Sequence, residues 1–240
     1  MDVPLFVARP RLYRTGKAAI KTFPRARGRW AMDSGGFWEV AHRGGWTISP
    51  ALYVEQVRRA RDEIGNMDWA APMDWMCEDE AIKATGLSVV RHQELTIDNG
   101  IDLRMRAADL PFIYVIQGKA LNDYRRCVEM YTERGVDLAA EPVVGLGSVC
   151  RREDSLEIQM IARTIHEEYG ISLHGFGVKK GGLERYAEHL RSSDSLAWSA
   201  RGYHVMPCAH PRPGRPPAQS EANCSVFALQ WRDQLLSRLT

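Results

Sequence analysis

At 240 residues, with 45% hydrophobic and 26% charged residues, the chain has an ordinary globular composition and the length for one full core. No apolar run nears the roughly 18 residues of a membrane span, and five thinly spread cysteines argue against a disulfide framework. The net charge of +2 hides an uneven distribution. Arg9, Arg11, Arg14, Lys17, Lys21, Arg25, Arg27 and Arg29 crowd the first 32 residues beside one acid, Asp2. Residues 195–220 carry Arg201, Arg212 and Arg215 with no acid, which leaves the remainder with 21 basic and 29 acidic residues. Such asymmetry is the footprint of a polyanion binder; the plainer alternative is a solvated basic arm without a specific partner. The opening Met1-Asp2-Val3-Pro4 shows neither block of a signal peptide, so a cytoplasmic protein is expected.

In chain order, short apolar runs at 5–8, 29–32, 69–73, 111–116, 142–146, 171–176 and 195–197 read as strands. Amphipathic segments lie between them. Ser49-Pro50 opens one reaching to about 64, with proline at a tolerated first-turn position; others span 121–134, 154–169 and 183–190, and 226–239 reads as a terminal helix. This alternation predicts βαβ units and a parallel sheet. Seven strands, with an eighth expected near 203–206, predict an α/β fold: a (β/α)8 TIM barrel of minimal size over residues 1–200, with a short C-terminal extension over 201–240. Residues 210–217, His-Pro-Arg-Pro-Gly-Arg-Pro-Pro, fit neither regular helix nor central strand and read as a surface loop or polyproline stretch.

Polar or glycine-rich positions repeatedly follow the apolar runs: Asp33, Asp74, Gln117-Gly118, Gly145-Leu146-Gly147 and His174-Gly175-Phe176-Gly177, with Asp194 beside the last run. In a barrel such positions converge on one face. Singly, an Asp after a strand is a turn former or a helix cap. Together they supply three carboxylates, an amide and backbone amides. That inventory suits a guanine-like edge, which offers N–H donors to carboxylates and a carbonyl to an amide. Phe37 is placed to stack on a base, and a carboxylate not needed for reading is free to act as a nucleophile.

Asp33-Ser-Gly-Gly-Phe37 resembles the DSGGF/Y signature of tRNA-guanine transglycosylases. Trp46-Thr-Ile-Ser-Pro50, Ala71-Pro72-Met73-Asp74, Ile116-Gln117-Gly118, Val144-Gly145-Leu146-Gly147, His174-Gly175-Phe176-Gly177 and Ser193-Asp194-Ser195 follow in the family's order. The resemblance implies Asp194 as nucleophile at C1′, forming a covalent glycosyl-enzyme, and Asp33 as general acid/base. It implies Asp74 as reader of the N1/N2 edge, Gln117 and the Gly145-Leu146-Gly147 segment on the O6 and C7 side, and Phe37 and His174 flanking the ring. A core or capping role for His174 stays open, because the family has an apolar residue there.

The departures from that family point to a branch of it. The family's zinc site is Cys-x-Cys-x-x-Cys with a later His; here Cys208-x-His210 and Cys224, with His204 nearby, offer ligands for a structural zinc or form a free-thiol tail. The short chain and the basic arm resemble the deazapurine DNA-modification branch of bacteriophages and bacteria. That branch implies guanine in DNA exchanged for a free 7-deazaguanine such as the 7-cyano form, protecting DNA from restriction. Arg9, Arg11, Arg14, Arg201, Arg212 and Arg215 are then expected at phosphates, and the target nucleotide has to be extruded from the duplex. No organic cofactor and no membrane are expected. A homodimer is allowed. The alternatives are a tRNA enzyme of the same chemistry, a non-catalytic nucleic-acid-binding barrel, and a hydrolytic N-glycosidase.

Overall fold

The computed structural model describes residues 3–13, 20–150, 152, 154–210 and 218–239; Arg14, Arg212, Arg215 and most of the proline-rich stretch fall outside them. β1 (Leu5–Ala8) runs into a single helical turn, α1 (Arg9–Leu12). β2 (Trp30–Asp33) is followed by α2 (Gly36–Arg43) and α3 (Pro50–Ile64), and β3 (Met67–Ala70) by α4 (Asp79–Thr85) and α5 (Val89–Arg106). Strict alternation then sets in with β4 (Tyr114–Ile116), α6 (Leu121–Glu133), β5 (Val144–Leu146), α7 (Leu156–Tyr169), β6 (Leu173–Gly175), α8 (Lys180–Tyr186) and β7 (Ser192–Ser193). Two helices end the chain, α9 (Ala197–Tyr203) and α10 (Ser225–Leu236). No helix among the described residues is long and apolar enough to cross a membrane.

Among the described residues every pairing between these strands is parallel and follows chain order, β1-β2-β3 and β4-β5-β6-β7. A parallel bridge between Ala70 and Phe112 joins the two groups. The sheet curls on itself. The Phe6 ring of β1 lies 5.3 Å from Trp69 of β3 and 5.4 Å from His174 of β6, so strands far apart in the order meet across one interior.

Side-chain alternation along the strands sorts the residues into two layers. Ile113, Val115 and Val143 point inward with Trp69 and Phe176. Tyr114, Ile116, Val144, Leu146 and Leu173 point outward into a layer shared with α5, α6, α7 and α8. On the other flank Trp30, Met32 and Ala70 pack on Tyr53, Val57 and Ala60 of α3.

The expected closed eight-stranded barrel is not seen. Among the described residues no pairing joins β7 to β1, and 203–206, expected as the eighth strand, form the end of α9 and the turn after it. Tyr203 is 66% and Met206 69% exposed, whereas a strand of an all-parallel sheet is buried on both faces. The strand expected at 195–197 lies earlier, at Ser192–Ser193, and Ala197 begins α9. That shift puts Asp194 immediately after a strand, while Asp33 ends β2 and Asp74 lies beyond the C-terminal end of β3.

Candidate active site

β2 delivers Asp33 into a tight turn. Gly35 has φ +74 and caps α2; a Cβ there would lie 2.8 Å from Pro10, so conformation and space both require glycine. Ser34 Oγ accepts the Gly36 N–H and donates to Asp74 Oδ1, each over 3.1 Å. Beneath the turn lies Arg9, expected at a phosphate but only 6% exposed. It donates to the Ser34 carbonyl over 2.9 Å, to Gln56 over 3.3 Å and to buried Glu39 over 2.9 Å. A buried guanidinium needs such partners, so Arg9 braces the Asp33 turn and has no free face for DNA. Arg11 and Arg201 are exposed. Phe37 opens α2 partly buried, its ring edge-on to His42 at 5.8 Å.

Asp74 lies four residues beyond β3 in an irregular segment whose backbone groups are satisfied almost entirely by side chains, as burial requires. The Tyr53 hydroxyl bonds the Ala71 carbonyl, Asn99 the Met73 carbonyl and the Trp46 indole N–H the Asp74 carbonyl. Thr96 accepts the Trp75 N–H over 2.8 Å and donates to the Trp75 carbonyl over 3.3 Å, while His92 Nδ1 meets the Met76 carbonyl over 2.6 Å. His92, Thr96 and Asn99 all come from α5. From the same helix, Gln93 Nε2 donates to the Gln117 carbonyl over 2.6 Å. The buried face of α5 is therefore a polar clamp on two site loops. Thr96→Val is expected to destabilise the fold by about 1–3 kcal/mol, because it leaves the Trp75 N–H buried without an acceptor; denaturant unfolding measures this.

Gln117 follows β4 and is 1% exposed. Its Nε2 donates to Asp74 Oδ2 over 2.7 Å and its Oε1 accepts from Ser148 Oγ over 2.6 Å. Gly147 makes room for that amide: a Cβ there would fall 2.4 Å from Gln117 Nε2. The Gly147 backbone, expected to face the base, is committed within the fold, its N–H to Ile116 and its carbonyl to the Tyr124 hydroxyl. Leu146 likewise points into the helix layer, and its carbonyl accepts the Phe176 N–H. Gly145 lets Phe176 approach, since a Cβ would lie 2.5 Å from that ring.

Asp194 follows β7 with its side chain 21% exposed. Oδ1 accepts the Gly177 N–H over 3.0 Å and meets His174 Nε2 at 3.3 Å, so neither contact uses Oδ2. His174, expected to flank a base, is 3% exposed among the rings of Phe6, Trp69 and Phe176. Its Nδ1 pairs with Ser192 Oγ over 2.8 Å. With both nitrogens and its faces occupied, His174 orients Asp194.

Asp33 interacts with both of the other carboxylates. Burial pushes Asp33 up to about 6, with the Asp194 charge adding to the rise, while the Gly35 and Ser34 N–H groups and Arg9 restrain it. Burial and then the Asp33 charge push Asp74 up to about 7, against the Ser34 hydrogen bond. Two carboxyls poised near neutrality beside a partly exposed third are equipped for proton transfer, acceptance of N–H donors and nucleophilic attack.

A second cluster lies in the tail. Ligand atoms of Cys208, His210, Glu221 and Cys224 all fall within 4.8 Å of one another. Glu221, 1% exposed, contacts Cys208 Sγ at 3.0 Å and His210 Nδ1 at 3.1 Å. The expected Cys208, His210 and Cys224 are thus together, but the fourth group is Glu221; His204 caps α9, exposed and edge-on to Tyr203. Two thiols, an imidazole and a carboxylate make a donor set that fits tetrahedral zinc.

No curated protein matches the chain. The family model DpdA, described as DeoxyPurine in DNA protein A, matches residues 1–239. With all but its last residue inside that match, the chain belongs to the DpdA family.

Proposed function

We propose that this protein exchanges guanine in DNA for a 7-deazaguanine through a covalent bond between Asp194 and C1′ of the target nucleotide. The observation that carries the reading is the set of three carboxylates at the C-terminal ends of β2, β3 and β7, of which Asp33 interacts electrostatically with both Asp74 and Asp194. A scaffold without turnover has no use for three mutually repelling acids. The association of the DpdA family with deazapurine modification of DNA supports DNA as the polymer.

In the first half-reaction Asp194 Oδ2 forms a bond to C1′ as the C1′–N9 bond breaks, and Asp33 gives a proton to the departing guanine. In the second, the N9–H of the incoming base passes its proton to Asp33, its nitrogen bonds C1′, and the Asp194 carboxylate leaves. Proton and charge return to their starting places, and two inversions retain the sugar configuration, as in retaining glycosidases. Asp74 accepts the N1–H and N2–H donors, with Phe37 on the ring and the second Gln117 N–H toward O6. Arg11 and Arg201 serve phosphates, and the target nucleotide is extruded from the duplex to reach C1′. Protection of the modified DNA from restriction is the biological role this chemistry fits.

Labelled 7-cyano-7-deazaguanine incubated with duplex DNA or tRNA tests the reading, followed by digestion to nucleosides. Label is expected in DNA alone. Label in tRNA only would reverse the choice of polymer, and release of guanine without incorporation would make the protein a glycosidase. We also assign zinc to Cys208, His210, Glu221 and Cys224 as a brace of the 201–240 extension. Metal analysis is expected to find about one equivalent, lost in Cys208→Ser and Glu221→Gln and retained in His204→Ala.

A further inference from the structure

The Gln117 amide lies between two partners of opposite character: its nitrogen donates to Asp74 and its oxygen accepts from Ser148. Turned over, it would set its oxygen against the carboxylate. The Ser148 proton decides between the two arrangements. Ser148 Oγ accepts the Cys77 N–H over 2.6 Å, and its single proton has two acceptors in reach, Gln117 Oε1 at 2.6 Å and Glu78 Oε2 at 3.2 Å. With the proton on Gln117, the amide nitrogen must face Asp74. With the proton on Glu78, Ser148 Oγ is free to accept the amide N–H, and the turned amide then needs a protonated Asp74 as its donor.

Ser148 is built into this place. It is 5% exposed and holds φ +58, a conformation that costs a residue with a Cβ. The neighbouring Gly147 provides the space in which the amide sits, since a Cβ there would fall 2.4 Å from Gln117 Nε2. On its outer side Ser148 lines a cavity of about 270 Å³ together with Cys77, Glu78, Lys119 and Arg152.

We propose that Ser148 is a positioning residue for the base-reading carboxylate: its hydroxyl holds the Gln117 amide nitrogen-first toward Asp74, and thereby keeps Asp74 an acceptor for a base edge rich in N–H donors. The identity of that base rests on the exchange reading above; the hydrogen-bond relay does not. The other groups that act on Asp74 are Asp33 after β2, the Ser34 hydroxyl and Glu78 ahead of α4. Tyr53 of α3 and Tyr131 of α6 also interact with it, while Arg9 and Asp194 act on its neighbour Asp33. Of these groups Glu78 alone bonds the Ser148 hydroxyl, over 3.2 Å, and the others keep their contacts when that hydroxyl is removed.

Ser148→Gly removes the hydroxyl while keeping a backbone that glycine adopts freely. Ser148→Ala keeps the Cβ and controls for added chain freedom. The Asp74 carboxyl is followed by carbon NMR in protein labelled at aspartate, its signal assigned by its loss in Asp74→Asn. In both Ser148 variants Asp74 is expected to titrate about one pH unit higher than in the wild type. Calorimetry is expected to show guanine bound about fivefold more weakly at pH 7, with the gap closing at alkaline pH. An unmoved Asp74 titration in the folded glycine variant overturns the proposal. Wild-type protein that binds no guanine overturns the exchange reading instead, because the Asp74 titration needs no base.

Discussion

Asp194→Asn is expected to abolish base exchange, by about 10⁴-fold or more, and to leave the fold and DNA affinity near wild type. The substitution is nearly isosteric. Its carbonyl oxygen can still accept the Gly177 N–H and meet His174 Nε2, which are the two contacts Asp194 makes. What is lost is the anionic oxygen that the proposed exchange places on C1′. In the wild type a denaturing gel is expected to trap a protein–DNA adduct when the incoming base is withheld, and the Asn variant is expected to give none. Asp33→Asn separates the roles. A variant that cannot protonate the departing base still carries the nucleophile, so it slows adduct formation without changing where the adduct forms. An adduct that persists in Asp194→Asn but vanishes in Asp33→Asn would exchange the two assignments.

The elements around the first carboxylate were legible because each obeys a local rule, whereas the strand before Asp194 was expected three residues too late. β1 and α3 lie where an apolar run and a Ser-Pro cap place them, and the Asp33 turn follows from two glycines after an apolar strand. α5 was not legible, although at 18 residues it is the longest helix among the described residues. Its buried positions, His92, Gln93, Thr96, Ile97, Gly100 and Leu103, have helical spacing, but only two carry sizeable apolar side chains. A hydrophobic pattern therefore misses it. The polar face exists because the loop bearing Asp74 has backbone groups that only side chains reach.

The same kind of cause hid the remaining site residues. Ser34 and Ser148 are short hydroxyls whose value lies in which oxygen they touch, and nothing in local sequence reports that. Glu221 is the first acid after the acid-free stretch 195–220, a faint signal that becomes meaningful only once Cys208, His210 and Cys224 are folded around it. Arg9 misled in the opposite direction. Placed among other basic residues it reads as a phosphate contact, yet burial beside Glu39 and the Ser34 carbonyl makes it part of the turn. Charge counting locates a basic segment but not which of its members are buried.

Asp74→Asn is expected to stabilise the protein at pH 8 while reducing exchange by about 100-fold or more. The Asp74 carboxyl, 7% exposed, is pushed up to about 7 by burial and by the Asp33 charge. A carboxyl raised in the folded state contributes its full stability below its unfolded value near pH 4. That contribution is lost as pH rises toward 7, because the unfolded chain ionises first. Above pH 7 the accumulated cost is on the order of 4 kcal/mol, part of it repulsion shared with Asp33. An amide at this position carries no such cost, and its oxygen can accept from Gln117 while its nitrogen donates to Ser34 Oγ. The melting temperature of Asp74→Asn should therefore exceed that of the wild type by several degrees at pH 8, and the difference should shrink toward zero near pH 4. The activity loss has the same origin. A neutral amide offers one acceptor where the guanine edge presents two N–H donors, so a donor is left unpaired in a buried site. Equal melting temperatures at pH 8, or a difference that does not change with pH, would mean that Asp74 is not a strained buried acid. Its place as the base-reading carboxylate would then fall with it.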